Sequence, residues 1–158
     1  MTTNEKRISV IGVPMNLGAD RLGVDLGPVA IRYAGVKSRL ERIGYDFEDR
    51  GDIEVVRPEV ATDAHSNLKY LDEIVRVNTT LCEGVADIVS SGRFPLVLGG
   101  DHSIAIGTIA GAMQSKENLG VIWFDAHGDL NTAETSPSGN IHGMPLAVAL
   151  GLGHERLT

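Results

Sequence analysis

Two short stretches hold residue types that can do chemistry. Asp125-Ala126-His127-Gly128-Asp129 sets carboxylate and imidazole donors at alternate positions, and Gly99-Gly100-Asp101-His102-Ser103 supplies a second imidazole. No cysteine stands near either stretch, so the donors are imidazole and carboxylate. That set suits Mn, Fe, Co, Ni or Zn better than a thiolate zinc site would. Without a cation the same groups would repel one another, and burying them would be costly. A metal site is the expectation. The segment Asn131 to Asn140 follows directly and is dense in hydroxyls and amides. Composition alone makes it a polar turn, but its place after the donor cluster makes it a candidate ligand-facing loop. His142 precedes an apolar run and is a candidate proton carrier, with helix capping as the alternative. Asp101 and Ser103 serve equally well as N-cap residues of a strand-to-helix turn.

Those donors need rigid elements to position them. Leu119 to Phe124 is apolar and reads as a buried strand, so alternation would point Asp125 and His127 the same way, and a bend at Gly128 would bring in Asp129. Phe94 to Leu98 reads as another strand, ending just before Gly99. Upstream, Ile8 to Val13 is a β-branched run closed by Pro14, and Tyr45 to Ile53 is a more exposed strand. Between strands, a helical run starts at Pro28 and ends near Gly44. A long amphipathic helix runs from Leu68 to Ser91-Gly92, with apolar positions 71, 74, 75, 77, 81, 85, 88 and 89. Ser103 to Met113 and His142 to Leu150 read as further helices, Met15 to Gly27 and Arg57 to Ser66 as loops. Strands separated by helices predict a three-layer α/β/α fold with a mainly parallel sheet. In such sheets, sites lie beyond the C-terminal strand ends, which is where both donor stretches fall. They can converge if their strands are neighbours, about 4.8 Å apart.

Composition narrows the function classes. The chain has 158 residues, 42% of them hydrophobic, which suits one domain with a real core. A net charge of −7 and the lack of a basic run argue against nucleic acid or an anionic membrane as partner. Cys82 is the single cysteine, in keeping with a reducing cytoplasm, and reads as a core or half-buried thiol rather than a reactive one. The polar residues Met1 to Arg7 precede no apolar run of signal-peptide type, and no stretch is long and apolar enough to span a membrane. The glycines from Gly18 to Gly27 match neither phosphate-loop pattern.

Several motifs together resemble the ureohydrolase superfamily. They are Ile-Gly-Val-Pro at 11–14, Gly-x-x-x-Gly-Pro at 23–28, Gly-Gly-Asp-His-Ser at 99–103 and Asp-Ala-His-Gly-Asp at 125–129. The segment 131–145, Asn-Thr-x-x-Thr-Ser-Pro-Ser-Gly-Asn-Ile-His-Gly-Met-Pro, resembles arginase rather than agmatinase or formiminoglutamase. The resemblance implies two Mn²⁺ ions with a hydroxide between them, and hydrolysis of L-arginine to L-ornithine and urea. It implies His102, Asp125, His127 and Asp129 as metal ligands, with Asp125 bridging. Asn131, Ser138 and Asn140 would hold the α-carboxylate of arginine, with His127 beside the substrate. Asp129 and His142 would be catalytic, His142 as proton shuttle. A trimer or hexamer in the cytoplasm is the family-like assembly.

One part of that pattern is missing. The superfamily carries a second acidic motif, Asp-x-Asp-x-x-Asp-Pro, and this chain reaches Thr158 without it. The four ligands fill about five of the roughly ten to twelve positions that two ions need, and two carboxylates answer only half the charge of two divalent ions. The expectation is therefore the N-terminal part of a single ureohydrolase domain, with a weak second metal, little activity alone and one bare sheet edge. The alternatives are an agmatinase-type enzyme, or a short non-catalytic chain that pairs with a full-length subunit.

Overall fold

The run of β-branched residues near the start of the chain forms the middle of a parallel sheet. In the computed structural model, which describes residues 6–59, 67–116 and 118–158, β1 (Arg7–Val13) pairs with β2 (Asp46–Asp52) on one edge and β3 (Phe94–Gly99) on the other. Every residue of β1 after Arg7 is buried, as a strand covered on both faces must be. Ile11 and Val13 join the larger core cluster, while Ile8 and Val10 join Leu98, Leu40 and Phe47 on the opposite face. Helices cover both faces, α1 (Gly27–Tyr33) and α2 (Val36–Arg42) on one, α3 (Leu71–Ser90) and α4 (Ala105–Met113) on the other. The short α5 (Pro145–Ala149) packs on α4. The three-layer α/β/α fold with a parallel sheet is as the alternation of elements predicts.

The long helix is the backbone of the core. Leu71, Ile74, Val77, Leu81, Val85 and Ile88 recur at helical spacing and are buried, and Asp72 and Glu73 in its first turn complement the helix dipole. α4 lies close on α3 because two glycines face it. A Cβ on Gly107 would collide with the backbone oxygen of Asn78, and one on Gly111 with that of Cys82. Both polar atoms of the buried Asn78 side chain are bonded, its Oδ1 accepting from Gly107 N at 2.8 Å and its Nδ2 donating to Ile74 O at 2.9 Å.

Three expectations need correction. Leu119 to Phe124 forms no strand. β3 has β1 as its one strand neighbour, so no described strand offers hydrogen bonds to that run, and Ile122 and Phe124 stand 82% and 94% exposed. The single helix expected from Pro28 to Gly44 is two, broken at Gly35, whose φ of 85° only glycine adopts freely. The helix expected to start at His142 starts at Pro145, after a 3-10 turn over Ile141–Gly143. The loop expected over Met15 to Gly27 is present and runs partly inside, with Met15 and Leu17 fully buried and Val24–Leu26 in a 3-10 turn. Residues 60–66 of the expected surface loop lie outside the described residues.

Carboxylates tie the outer elements together. Arg32 of α1 donates to both oxygens of Asp49 in β2, at 2.8 and 2.9 Å, and to Asp52 at 2.5 Å. These bonds from Arg32 hold the Asp49 carboxyl below its ordinary 3.8. Bonds from Lys69, Arg57 and Tyr70 do the same for Asp20. A depressed folded value means that the unfolded chain binds more protons in acid, so this stability is complete above the ordinary value and is lost as pH falls through the folded one. The urea midpoint should therefore drop as pH is taken from neutral to below 3.8. Added salt should shrink the loss at the partly exposed pairs. A flat midpoint across that range would remove these carboxylates from the stability of the fold.

Candidate active site

The two donor stretches converge at the C-terminal side of the sheet. β3 delivers Gly99-Gly100, Asp101 caps a 3-10 turn over His102–Ile104, and that turn runs into α4. His102 is thus fixed at a helix start by the cap of its neighbour. Its Nδ1 lies 3.0 Å from Asp125 Oδ2 and 3.0 Å from Asp129 Oδ2. The three ligand atoms are within 4.8 Å of one another, close enough to share one ion. Trp123 stacks on the His102 ring, with centroids 4.3 Å apart and 17° between planes, which holds the imidazole from the side.

Strand adjacency is not what brings these groups together. The chain turns sharply instead. The bend expected at Gly128 falls at Ala126–His127, and Asp129 takes a φ of 47°, a left-handed conformation that aspartate tolerates better than most residues. Asp129 is held there by its own carbonyl, which accepts from Leu146 N at 3.1 Å and from Ala147 N at the start of α5. Asp125 and His127 do meet, but through a local turn rather than a shared strand face. Both the His127 backbone N–H, at 2.8 Å, and its Nδ1, at 3.0 Å, approach Asp125 Oδ1. The backbone bond from His127, helped by its ring and by His102, holds the Asp125 carboxyl below 3.8. Nor is the cluster sunk in the interior. Asp129 is 8% exposed, but the His127 side chain is 82% exposed. His102, Asp125 and Asp129 therefore form one donor group, and His127 sits on the other oxygen of Asp125.

A cleft of about 490 Å³ opens beside them, lined by His127, Asp129, Asn131, Ser138, Asn140 and His142 among others. Its wall is built by the loop after the donors. Thr135 Oγ1 donates to Asn131 Oδ1, Gly139 N donates to Ser136 Oγ, and Asn131 N donates to Gly143 O. Gly139 is at φ 69°, against the backbone of Asn67, where a side chain would not fit. Asn140 Nδ2 donates to Ala19 O at 3.0 Å, while its Oδ1 is buried with no hydrogen-bond partner among the described residues. His102, Asp125 and Asp129 thus form the donor group, and His127, Asn131, Ser138, Asn140 and His142 lie on this cleft. Asp101 does more than cap the turn. Its carboxylate also accepts from Ala19 N at 3.0 Å, a long-range contact with no local signal in the sequence.

Comparison with known proteins places the chain in a family. Residues 6–157 match the Arginase family. The arginase of Brevibacillus brevis is 66% identical over 153 residues, covering 97% of this chain and 51% of that protein. The solved arginase of Bacillus caldovelox superposes with a TM-score of 0.91 at 60% identity, over 96% of this chain and 51% of the other. That of Bacillus subtilis gives 0.88 at 58% identity, over 97% and 50%. The chain spans about half the length of the curated relatives it matches. A divalent metal centre goes with that family, and the mixed imidazole and carboxylate donors gathered around His102 fit one. The chain belongs to the arginase family.

Proposed function

We propose that this site hydrolyses L-arginine to L-ornithine and urea, with Mn²⁺ as the metal. The observation that carries the reading is the meeting of the His102–Asp125–Asp129 donor group and the amide- and hydroxyl-lined cleft. His102, Asp125 and Asp129 would hold one ion, and His127, which lies on the other oxygen of Asp125, would serve a second, weaker one. When bound, the metal supplies a water whose pKa falls from about 15.7 toward about 7, giving the strong nucleophile that a resonance-stabilised guanidinium needs. Asn131, Ser138 and Asn140 hold the α-carboxylate end of the substrate along the cleft wall and so aim its guanidinium at the donor group. Holding both ends in one geometry is worth far more than the contacts themselves. His142, on the same wall, carries a proton to the leaving amine.

The test is urea release by the Mn²⁺-loaded chain with L-arginine and with agmatine, which lacks the carboxylate. Release is expected to be slow, because four ligands leave coordination positions open. It should favour L-arginine by at least about tenfold in kcat/KM, roughly the worth of one charge-assisted hydrogen bond. Equal turnover of the two compounds would overturn the substrate assignment. No release of urea from either, with Mn²⁺ bound, would leave a binding module and overturn the catalytic reading.

A further inference from the structure

We propose that Asp101 is a positioning residue whose carboxylate clamps the Gly18-Ala19 turn and, through that turn, sets Asn140 and His142 on the cleft wall. The proposal rests on the substrate reading above for its consequence, but not for its geometry. Asp101 is 7% exposed, and each of its oxygens is committed. Oδ1 accepts from Ser103 N at 3.0 Å and from Ser103 Oγ at 2.6 Å, and Oδ2 accepts from Ala19 N at 3.0 Å. Its backbone N–H donates to Met15 O at 2.8 Å, so the loop is held at two points by one residue.

The far side of the same turn faces the cleft wall. Gly18 O accepts from His142 N at 3.2 Å, and Ala19 O accepts from Asn140 Nδ2 at 3.0 Å. Two successive peptides therefore link the residue before His102 to the two wall residues. The turn has no slack. A Cβ on Gly18 would come within 2.5 Å of Asp101 Oδ1 and 2.6 Å of Ser103 Oγ. Asp20, next along, is anchored separately by Arg57, Lys69 and Tyr70, which fixes the outer end of the turn and leaves Asp101 to fix the inner end. A carboxylate is required chemically, because its three partners are all donors. An amide in its place must turn its NH2 toward either Ser103 or Ala19, and a donor then faces a donor.

Amide hydrogen exchange by NMR on the 15N-labelled chain, without metal, tests the geometry. In Asp101→Asn, exchange at Ala19 and His142 is expected to accelerate about tenfold, on the scale of an unmade buried hydrogen bond. The Asn140 side-chain resonances should move, while Val10 in β1 keeps its protection. Gly18→Ala opens the clamp from the other side with Asp101 intact, and it should give the same local pattern should Asp101→Asn fail to fold. Unchanged exchange at His142, or equal acceleration at His142 and Val10 in both variants, would overturn the proposal and leave Asp101 a plain helix cap. L-Ornithine titrated calorimetrically into the Mn²⁺-loaded variants separates the two readings. Weaker binding beside the local exchange pattern supports both. The exchange pattern with unchanged binding upholds the clamp and removes Asn140 from the substrate contacts.

Discussion

Asp125→Asn should abolish high-affinity Mn²⁺ binding, with a loss of at least about 100-fold, since outer groups that merely orient a ligand already account for 10- to 100-fold. Among the described residues, Asp125 faces both imidazoles, with Oδ2 toward His102 and Oδ1 toward His127. An amide keeps the shape but carries no charge and offers only one oxygen. One of the two histidines must then face an NH2 group. Asp125 is also ionised well before neutral pH, so a cation need not displace a proton from it. Isothermal titration with Mn²⁺ at neutral pH reads the effect directly, and the unfolding midpoint should barely change because the side chain lies at the surface of the cluster. An affinity within about threefold of the parent would mean that the ion sits elsewhere, and the donor group would lose its meaning.

Gly107→Ala should cost about 3 kcal/mol of folding stability, combining overpacking with the loss of a buried hydrogen bond. The new methyl would run into the Asn78 backbone, which α3 cannot move. α4 must back away, and the Gly107 N to Asn78 Oδ1 bond breaks, leaving a buried amide short of a partner. Because the His102 turn leads straight into α4, the same shift should carry His102 away from Asp125 and Asp129 and weaken Mn²⁺ binding as well. Urea denaturation and metal titration of one variant test both consequences. A loss below about 0.5 kcal/mol would mean that the helices part without strain.

The donors were legible in the sequence because a metal site needs particular residue types, and types are what a sequence displays. His102, Asp125 and Asp129 meet as their spacing suggests. They meet through a local turn, and not through neighbouring strands. The run Leu119 to Phe124 has every local mark of a strand, but a strand is a pairing, and the partner lies beyond the local signal. The positive φ at Asp129 was hidden for a similar reason, since Gly128 next door was the obvious place for a bend. The helix break at Gly35 and the buried course of Met15 and Leu17 likewise depend on what packs above them. The sheet, the α3 face and the two-sided burial of β1 were legible because they follow from period and composition over many residues. Asp101 shows the limit most clearly. Its cap to Ser103 is a local pattern, whereas its bond to Ala19 spans the fold.

The stacking of Trp123 on His102 has an optical consequence. It is the only tryptophan in the chain, so all emission excited at the red edge of the aromatic band comes from one indole in contact with one imidazole. Protonating that imidazole, or placing a paramagnetic ion at its nitrogen, changes the quenching of the indole without any label. The protein therefore carries a single-site fluorescent indicator of its own donor group, readable in a cuvette while the rest of the molecule stays dark.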